Sequence, residues 1–254
     1  MGNYISDSYT MFKRSMTRTL RSPEAIVVAI ILPVFMMVMF GYVFGGVVDL
    51  GDINYINFIV PGIIVQCVLN ASAATAFSIY TDMTTGIIDR FRSMSISKAS
   101  LITGHVCVSV IRSIVITIFT FGAAFAIGFR PEASFTDWLL IAAILILFMI
   151  AITWMVVIFG LISKDAESIN GTSFLLMIFV FISSAFSPPE TLPTVLRVFA
   201  QNQPITHIVD AMRALMLGFE LSGWHLVRAL AWCLGLGAVC FAIAVQVYKS
   251  KLTR

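Results

Sequence analysis

The chain has few charged residues. Of its 254 residues, 11% are Asp, Glu, Lys or Arg and 59% are apolar, and the mean hydropathy is +0.97. A soluble domain has about 25% charged and roughly 45–50% apolar residues. A soluble fold could not cover its surface with so few charges, whereas helices in a bilayer need no polar outer face. We therefore expect one integral membrane domain, with no room for a sizeable soluble domain.

The motifs of several enzyme classes are also absent. The chain has no GxxxxGK[ST] loop to hold ATP phosphates, no HExxH zinc motif and no GxSxG nucleophile turn. No pair of acids lies inside an apolar run, where it could relay protons. We expect that this chain is not an enzyme, hydrolyses no ATP by itself, and binds no metal and no cofactor.

The cysteines and the net charge argue against a cysteine-based metal site and against a nucleic-acid partner. Cys67, Cys107, Cys233 and Cys240 all lie in apolar runs and form no CxxC pair. We interpret them as small buried apolar residues. The formal net charge of +3 is small and dispersed along the chain, so we expect no nucleic-acid partner.

Charged residues separate six apolar runs of spanning length. A helix needs about 20 apolar residues to cross a bilayer. We place the spans at about residues 25–48, 55–80, 103–128, 138–163, 169–188 and 227–248. The predicted fold class is an all-α membrane protein with six transmembrane helices, in which residues 23–254 form the membrane domain.

The distribution of Lys and Arg predicts the orientation. With six crossings, eleven of the sixteen basic residues lie on the side of the two termini and four lie on the other side. Basic residues are concentrated in cytoplasmic loops. We therefore expect a multi-pass protein of the cell (plasma) membrane with both termini in the cytoplasm.

The first 22 residues are polar and basic. Phe12, Met16 and Leu20 recur every four residues, and the Lys and Arg residues lie off this stripe. This pattern predicts an amphipathic helix on the cytoplasmic interface of the membrane lipid. A solvated basic tail is the alternative interpretation.

The stretch from residue 191 to 224, between the fifth and sixth spans, is too interrupted to span. Two short helices are predicted, over residues 192–200 and 205–217, as an outer re-entrant hairpin. Irregular backbone at membrane depth is tolerated only when it is buried in protein or lines a cavity. The candidate residues of this hairpin are Pro188, Glu190, Asn202, Pro204 and Arg213.

Three polar side chains inside predicted spans are candidate site residues. Gln66 and Asn70 are one turn apart on the second span, and Arg112 is about two turns into the third. They are candidates for a substrate path or for polar contacts between helices. For Gln66 and Asn70 we favour interhelix bonding, which is more usual in bundles. For Arg112 we favour snorkelling toward the cytoplasm, because a charge inside a membrane helix is costly.

The loop from residue 82 to 100 reads DMTTGIIDRFRSMSISKAS. It can form a short amphipathic helix outside the bilayer, on which a soluble partner could push. A solvated cytoplasmic loop is an equally good interpretation from the residues alone. The candidate coupling residues are Asp82, Gly86, Ile87, Ile88, Asp89, Arg90, Phe91 and Arg92.

Three segments together resemble the permease subunits of type-2 ABC exporters, nearest to the daunorubicin-resistance (multidrug) branch. Residues 20–46, LRSPEAIVVAIILPVFMMVMFGYVFGG, are similar to that family's first span. GIIDRFRSMSIS, at residues 86–97, resembles its cytoplasmic coupling segment, with Ser95 in place of the usual proline. Residues 181–218 resemble its fifth span and outer hairpin. The resemblance covers nearly the whole chain.

The resemblance implies a function. Such a permease forms a homodimer, and two copies of a separate ABC ATPase, which hold ATP and magnesium, bind its coupling helices. Closure of the ATPases moves a hydrophobic or amphipathic compound, such as a drug, an antibiotic or a lipid-like molecule, out of the cell.

Two alternative functions remain besides the export of a hydrophobic or amphipathic compound. One is a type-2 exporter of polysaccharide or teichoic acid, which needs a wider, aromatic-lined channel. The other, from a different class, is a membrane enzyme or assembly factor without a transport role.

Overall fold

A computed structural model describes residues 4–21, 23–45, 54–86, 98–219 and 223–253. Within these ranges the regular elements are helical. The α-helices, numbered here in chain order, are α1 (Tyr4–Leu20), α2 (Pro23–Met39), α3 (Tyr55–Thr84), α4 (Lys98–Ile127), α5 (Phe135–Ile162), α6 (Ala166–Phe181), α7 (Thr194–Asn202), α8 (Pro204–Leu217) and α9 (Gly223–Thr253). A π-helical turn, Phe40–Phe44, extends α2, and a 3-10 turn, Pro189–Thr191, precedes α7.

Five of the helices in the described ranges are long and apolar enough to cross a membrane. Their apolar stretches are Ile26–Val43, Tyr55–Thr84, Ile102–Ile127, Phe135–Ile162 and Trp224–Lys251. The all-helical membrane class is therefore confirmed. The fifth predicted span corresponds to α6, which has 16 residues. At 1.5 Å per residue it is about 24 Å long, less than the roughly 30 Å of a bilayer core. The count of six spans stays a prediction.

The helix bundle has two ends. At the first, which we call the α1 end, Met11, Ile79, Ile102, Leu161 and Tyr248 form one apolar cluster, joining α1 to the adjacent ends of α3, α4, α5 and α9. The opposite end, which we call the hairpin end, contains α7 and α8. There Glu132, just before α5, donates its backbone N–H to the carbonyl of Met216 on α8 at 2.9 Å.

Helix α3 lies at the centre of the bundle. In the apolar stretch of α3, 83% of the residues counted are buried, whereas the corresponding shares for α2 and α9 are 11% and 17%. Gly160 lets α5 approach α3 closely, because a Cβ there would lie 2.6 Å from the carbonyl oxygen of Ala76. The exposed apolar faces of α2 and α9 are suited to lipid or to another protein chain.

Helix α1 packs against α4 through the face that contains Met11 and Ser15, and the membrane contact of its predicted apolar stripe stays a prediction. Met11 and Ser15 are buried, whereas Leu20 of the predicted apolar stripe is 65% exposed. The reason is Gly104 on α4, where an added Cβ would lie 2.8 Å from Cβ of Met11. The absence of a side chain at this position lets α1 lie directly on α4.

The predicted outer hairpin contains two short helices, α7 and α8. Pro204 occupies the first turn of α8, where its missing N–H costs nothing. Gly218 ends the helix in the left-handed conformation, with φ +67°. Helix α8 is inserted into the core, where Ile208, Val209 and Met216 are almost fully buried. Its depth in a membrane, and so its re-entrant character, stays a prediction.

Candidate functional site

A buried carboxylate joins three helices at the α1 end. Asp82 lies in the last turn of α3 and its side chain is 1% exposed. Arg14 donates to both of its oxygens, at 3.0 and 3.2 Å, and Arg18 donates at 3.2 Å. His105 Nε2 on α4 lies 3.0 Å from Asp82 Oδ2. We call these four residues the Asp82 cluster.

The sequence after Asp82 ends the helix sharply. Thr85 donates its backbone N–H to the carbonyl of Thr81 at 3.0 Å, and Gly86 follows in the left-handed conformation, with φ +67°. A glycine at this position ends a helix without strain. The Asp82 cluster therefore holds the end of α3 directly before the predicted coupling segment.

Of the predicted coupling residues, Asp82 and Gly86 lie within the described ranges. The Asp82 carboxylate faces α1 and α4 inside the chain, not solvent. The remaining six, Ile87, Ile88, Asp89, Arg90, Phe91 and Arg92, lie outside the described residues. The coupling helix itself stays a prediction.

A groove opens between α2, α3 and α4. Its volume is about 720 Å³. Apolar side chains form most of its walls, among them Val28, Leu32, Phe77 and Ile116. Polar residues of the lining are Arg18, Thr19, Glu24, Asn70, Ser78 and Arg112. We call this cavity the lateral groove.

Arg112 is held inside the bundle. Its Nη2 donates to the carbonyl of Ala71 and to Thr75 Oγ1 on α3, each at 2.7 Å. It lies ten residues, or about 15 Å, into the apolar stretch that begins at Ile102, which is near the middle of a bilayer core. The side chain therefore does not snorkel to the cytoplasmic surface as we expected, because acceptors on α3 are within reach.

Asn70 and Gln66, the two other polar candidates in the spans, lie in different surroundings. Asn70 lines the lateral groove with Arg112. Gln66 is 2% exposed and lies in the core of α3, and neither its amide nitrogen nor its amide oxygen has a hydrogen-bond partner among the described residues. The interhelix hydrogen bond that we expected for Gln66 is therefore not formed within the described part of the chain.

The hairpin end has its own polar network, centred on Arg213. This side chain donates to the carbonyls of Phe58 and Ser184, pairs with Asp210 at 2.7 Å, and lies 3.8 Å from the ring centroid of Phe58. Burial lowers the pKa of Arg213 to about 10, so it stays charged at neutral pH. Arg213 thus ties α8 to α3 and to the turn after α6.

Four of the five predicted hairpin residues surround one cavity. Pro188, Glu190, Asn202 and Arg213 line a space of about 540 Å³, together with His207 and Arg228. Pro204 instead begins α8. The cavity lies at the end of the bundle opposite the Asp82 cluster.

The comparison with known protein families is decisive. A model of the ABC-2 type transporter family matches residues 7–217. The chain belongs to the ABC-2 type transporter family.

Related permeases cover nearly the whole length. This ABC-2 permease is 27% identical over 248 residues to a daunorubicin resistance ABC transporter permease protein of Streptomyces coeruleorubidus, covering 97% of this chain and 87% of the relative. It is 24% identical over 257 residues to a probable doxorubicin resistance ABC transporter permease protein of Mycobacterium tuberculosis, covering 98% and 91%. A putative transport permease of Cyanophora paradoxa is 24% identical over 230 residues. The resemblance to the drug-resistance branch is confirmed.

Sequence reasoning missed three contacts of this ABC-2 permease. It assigned Arg14 and Arg18 to the polar face of α1 and did not consider His105, although all three converge on Asp82. The available signal was that Asp82 follows the second predicted span by two residues and that His105 lies inside the third, where a titratable side chain needs a partner.

Proposed function

We propose that this ABC-2 permease exports a hydrophobic or amphipathic compound from the cell, using ATP hydrolysed by a separate ATPase subunit. The observation that carries the proposal is the lateral groove, whose volume of about 720 Å³ lies within the roughly 300–1,000 Å³ of small-molecule sites. Its walls are mostly apolar, with Asn70 and Arg112 among the polar lining residues. The drug-resistance names of two relatives point to the same class of substrate.

In the proposed membrane arrangement the chain crosses six times, with both termini in the cytoplasm. Support comes from α6, which runs from the α1 end, where Tyr80 donates to the Lys164 carbonyl, to the hairpin end, where Ser184 bonds to Asp210. The α1 end would then be cytoplasmic and α1 would lie along that interface. The hairpin of α7 and α8 would enter the membrane from outside.

The proposed assembly is a homodimer of the permease with two copies of the ATPase. The weak burial of α2 and α9 supports a second permease, because each helix leaves a long apolar face uncovered. The ATPases would bind the coupling segment at residues 86–92. Because the Asp82 cluster fixes the end of α3 just before this segment, a push on the segment would move α1, α3 and α4 together.

The rival substrates belong to the exporters of polysaccharide or teichoic acid. A sugar chain is expected to require an aromatic-lined channel, and among the described residues the lateral groove has one aromatic side chain in its lining, Phe77. The groove therefore favours a compact apolar substrate.

The test is reconstitution of the permease with its candidate ATPase in vesicles. ATP hydrolysis should require both proteins, rise with substrate and accompany export, and the permease alone should show background hydrolysis only. Phe91→Ala should weaken ATPase association or uncouple hydrolysis from export, because an aromatic ring buried in a docking groove contributes a few kcal/mol. Arg90→Ala is the matched control, since a rim charge contributes roughly 0–1 kcal/mol.

Both variants should be compared at equal membrane levels, by co-purification yield and by efflux. Full ATPase binding together with full efflux in Phe91→Ala would remove the coupling assignment. ATPase activity that the permease never alters, with any substrate, would favour a membrane enzyme or assembly factor instead. Strong labelling of a cysteine at position 93 from outside intact cells would contradict the six-span arrangement.

A further inference from the structure

We propose that the lateral groove binds the acidic group of an anionic amphiphile at Arg112. The proposal deepens the proposed function by naming the charge of the ligand, and in that sense it rests on that function. It starts from the contacts of Arg112. The guanidinium has five N–H donors. Among the described residues, Nη2 has neutral oxygen acceptors, Nε has no partner, and Nη1 makes no hydrogen bond.

The charge of Arg112 has no counterion within the described part of the chain. The ion pairs found there involve Asp82 and Asp210, and neither pairs with Arg112. Glu24, the acid of the groove lining, lies in the first turn of α2 and forms no ion pair with Arg112. A charged side chain at the centre of a membrane normally pairs with an opposite charge or with backbone carbonyls, or faces a water-filled cavity. Within the described ranges Arg112 has one carbonyl partner, Ala71, and Nε and Nη1 of its guanidinium are left for a ligand in the groove.

The described candidate spans of a second copy offer no counterion at the depth of Arg112. The five candidate spans contain two acids, Asp82 and Asp137, and each lies two residues from the end of its span. Both are therefore about 3 Å along the helix from the span end, whereas Arg112 is about 15 Å from it. A permease dimer can cover the apolar walls of the groove, but the described spans of the second copy bring no carboxylate to the depth of Arg112. The anion is therefore assigned to a bound molecule.

The walls of the groove define the rest of that molecule. Val28, Leu32 and Phe77 are 63%, 42% and 48% exposed, and they line the same groove as Arg112. An acyl chain or a flat apolar body would cover them and remove their surface from lipid or water. A carboxylate, phosphate or sulfonate at its polar end would accept hydrogen bonds from Arg112. The ligand class is therefore an apolar body with one acidic group, from either a membrane lipid or an exported compound.

The test measures binding to the permease alone, in phosphatidylcholine nanodiscs without ATP or ATPase. The probe is 11-(dansylamino)undecanoic acid, and its methyl ester is the neutral match. Wild-type permease should bind the acid saturably and about tenfold more tightly than the ester, the factor expected for one charge-assisted hydrogen bond. Arg112→Lys should retain a preference for the acid. Arg112→Gln should bind the acid no better than the ester.

Two further variants separate binding from folding. Ala74→Trp fills the groove without changing Arg112 and should weaken the acid and the ester alike. Gly122→Ala, on the same helix as Arg112, is the control, because a Cβ at this position meets nothing within 4 Å. It should bind as wild type does. If Arg112→Gln does not fold, the acid-to-ester ratio of wild type and the Ala74→Trp result still decide the outcome.

Equal binding of acid and ester by wild type, or an unchanged acid preference in folded Arg112→Gln, would overturn the proposal. Repeating the titration in phosphatidylglycerol nanodiscs identifies the source of the anion. Weaker probe binding there assigns the site to lipid headgroups, and unchanged binding assigns it to a non-lipid amphiphile. A negative result in this binding assay does not contradict ATP-driven export. A negative result in the export assay does not contradict binding of an anionic amphiphile at Arg112.

Discussion

Asp82→Asn tests whether the buried carboxylate holds α1 against the bundle. The substitution keeps the size of the side chain and removes its charge. Three partners are affected: Arg14, Arg18 and His105. The two arginine side chains are 33% and 48% exposed, so both can regain water, and each loses about 0–1 kcal/mol.

His105 is different because it is 5% exposed. Its bond to a charged acceptor becomes a neutral hydrogen bond, at a cost of about 1 kcal/mol. The attachment of α1 should therefore weaken by about 1–3 kcal/mol, which increases its detached fraction about 5- to 150-fold.

Limited trypsin digestion in nanodiscs measures that fraction directly. Helix α1 contains the cleavage sites Lys13, Arg14 and Arg18, and cleavage of a transiently opened segment follows its open population when reclosing is fast. Intact-mass spectrometry then reports the rate at which the N-terminal peptide is lost. Glu167→Gln is the control, because it removes one exposed acid in the first turn of α6.

The cleavage rate of Asp82→Asn should exceed that of wild type and of Glu167→Gln at least about fivefold. Equal rates for Asp82→Asn and the control would refute the reasoning. Packing of Met11 on Gly104 would then be sufficient to hold α1.

Three further predictions address packing and pH. Gly104→Ala should raise the same trypsin rate, because its Cβ would lie 2.8 Å from Cβ of Met11, and Gly122→Ala should not, because that position is open. Arg213→Lys should lower the free energy of unfolding, measured in a thermal melt, by about 2–4 kcal/mol. The reason is that an ammonium cannot form the several planar hydrogen bonds that the guanidinium makes. A melting curve equal to that of wild type would contradict this prediction. Burial, and then the nearby positive charges, lower the pKa of His207 from 6.5, so protonation disfavours the folded state. Stability should be complete above about pH 6.5 and decline as the pH falls below it. Melts at pH 7.5 and 5.5 should show a smaller loss for His207→Asn, and an equal loss would exclude His207 as the cause.

The sequence by itself determined the class of the protein and most of its helices. Bracketing charges predicted spans at residues 55–80 and 138–163, and helices lie over Tyr55–Thr84 and Phe135–Ile162. Local information is sufficient here, because transfer of about 20 consecutive apolar residues into lipid outweighs other preferences. The shorter α6 departs from its predicted span, 169–188, because the chain turns after Phe181, well before Pro188.

Only the tertiary structure decided which polar residues meet. Asp82 contacts Arg14, which is 68 positions away, and Arg112 donates to the carbonyl of Ala71, 41 positions away. No periodic sequence pattern predicts either pairing. Each pairing depends on the relative positions of α1, α3 and α4 along their axes and on which face each helix turns toward its neighbours. Gly104 is one cause of that alignment, but a glycine in a helix looks the same in the sequence whether or not another helix lies against it. Hydropathy determines which segments enter the bilayer, whereas close packing between the helices determines which buried charges find a partner and which, like Arg112, are left facing a groove.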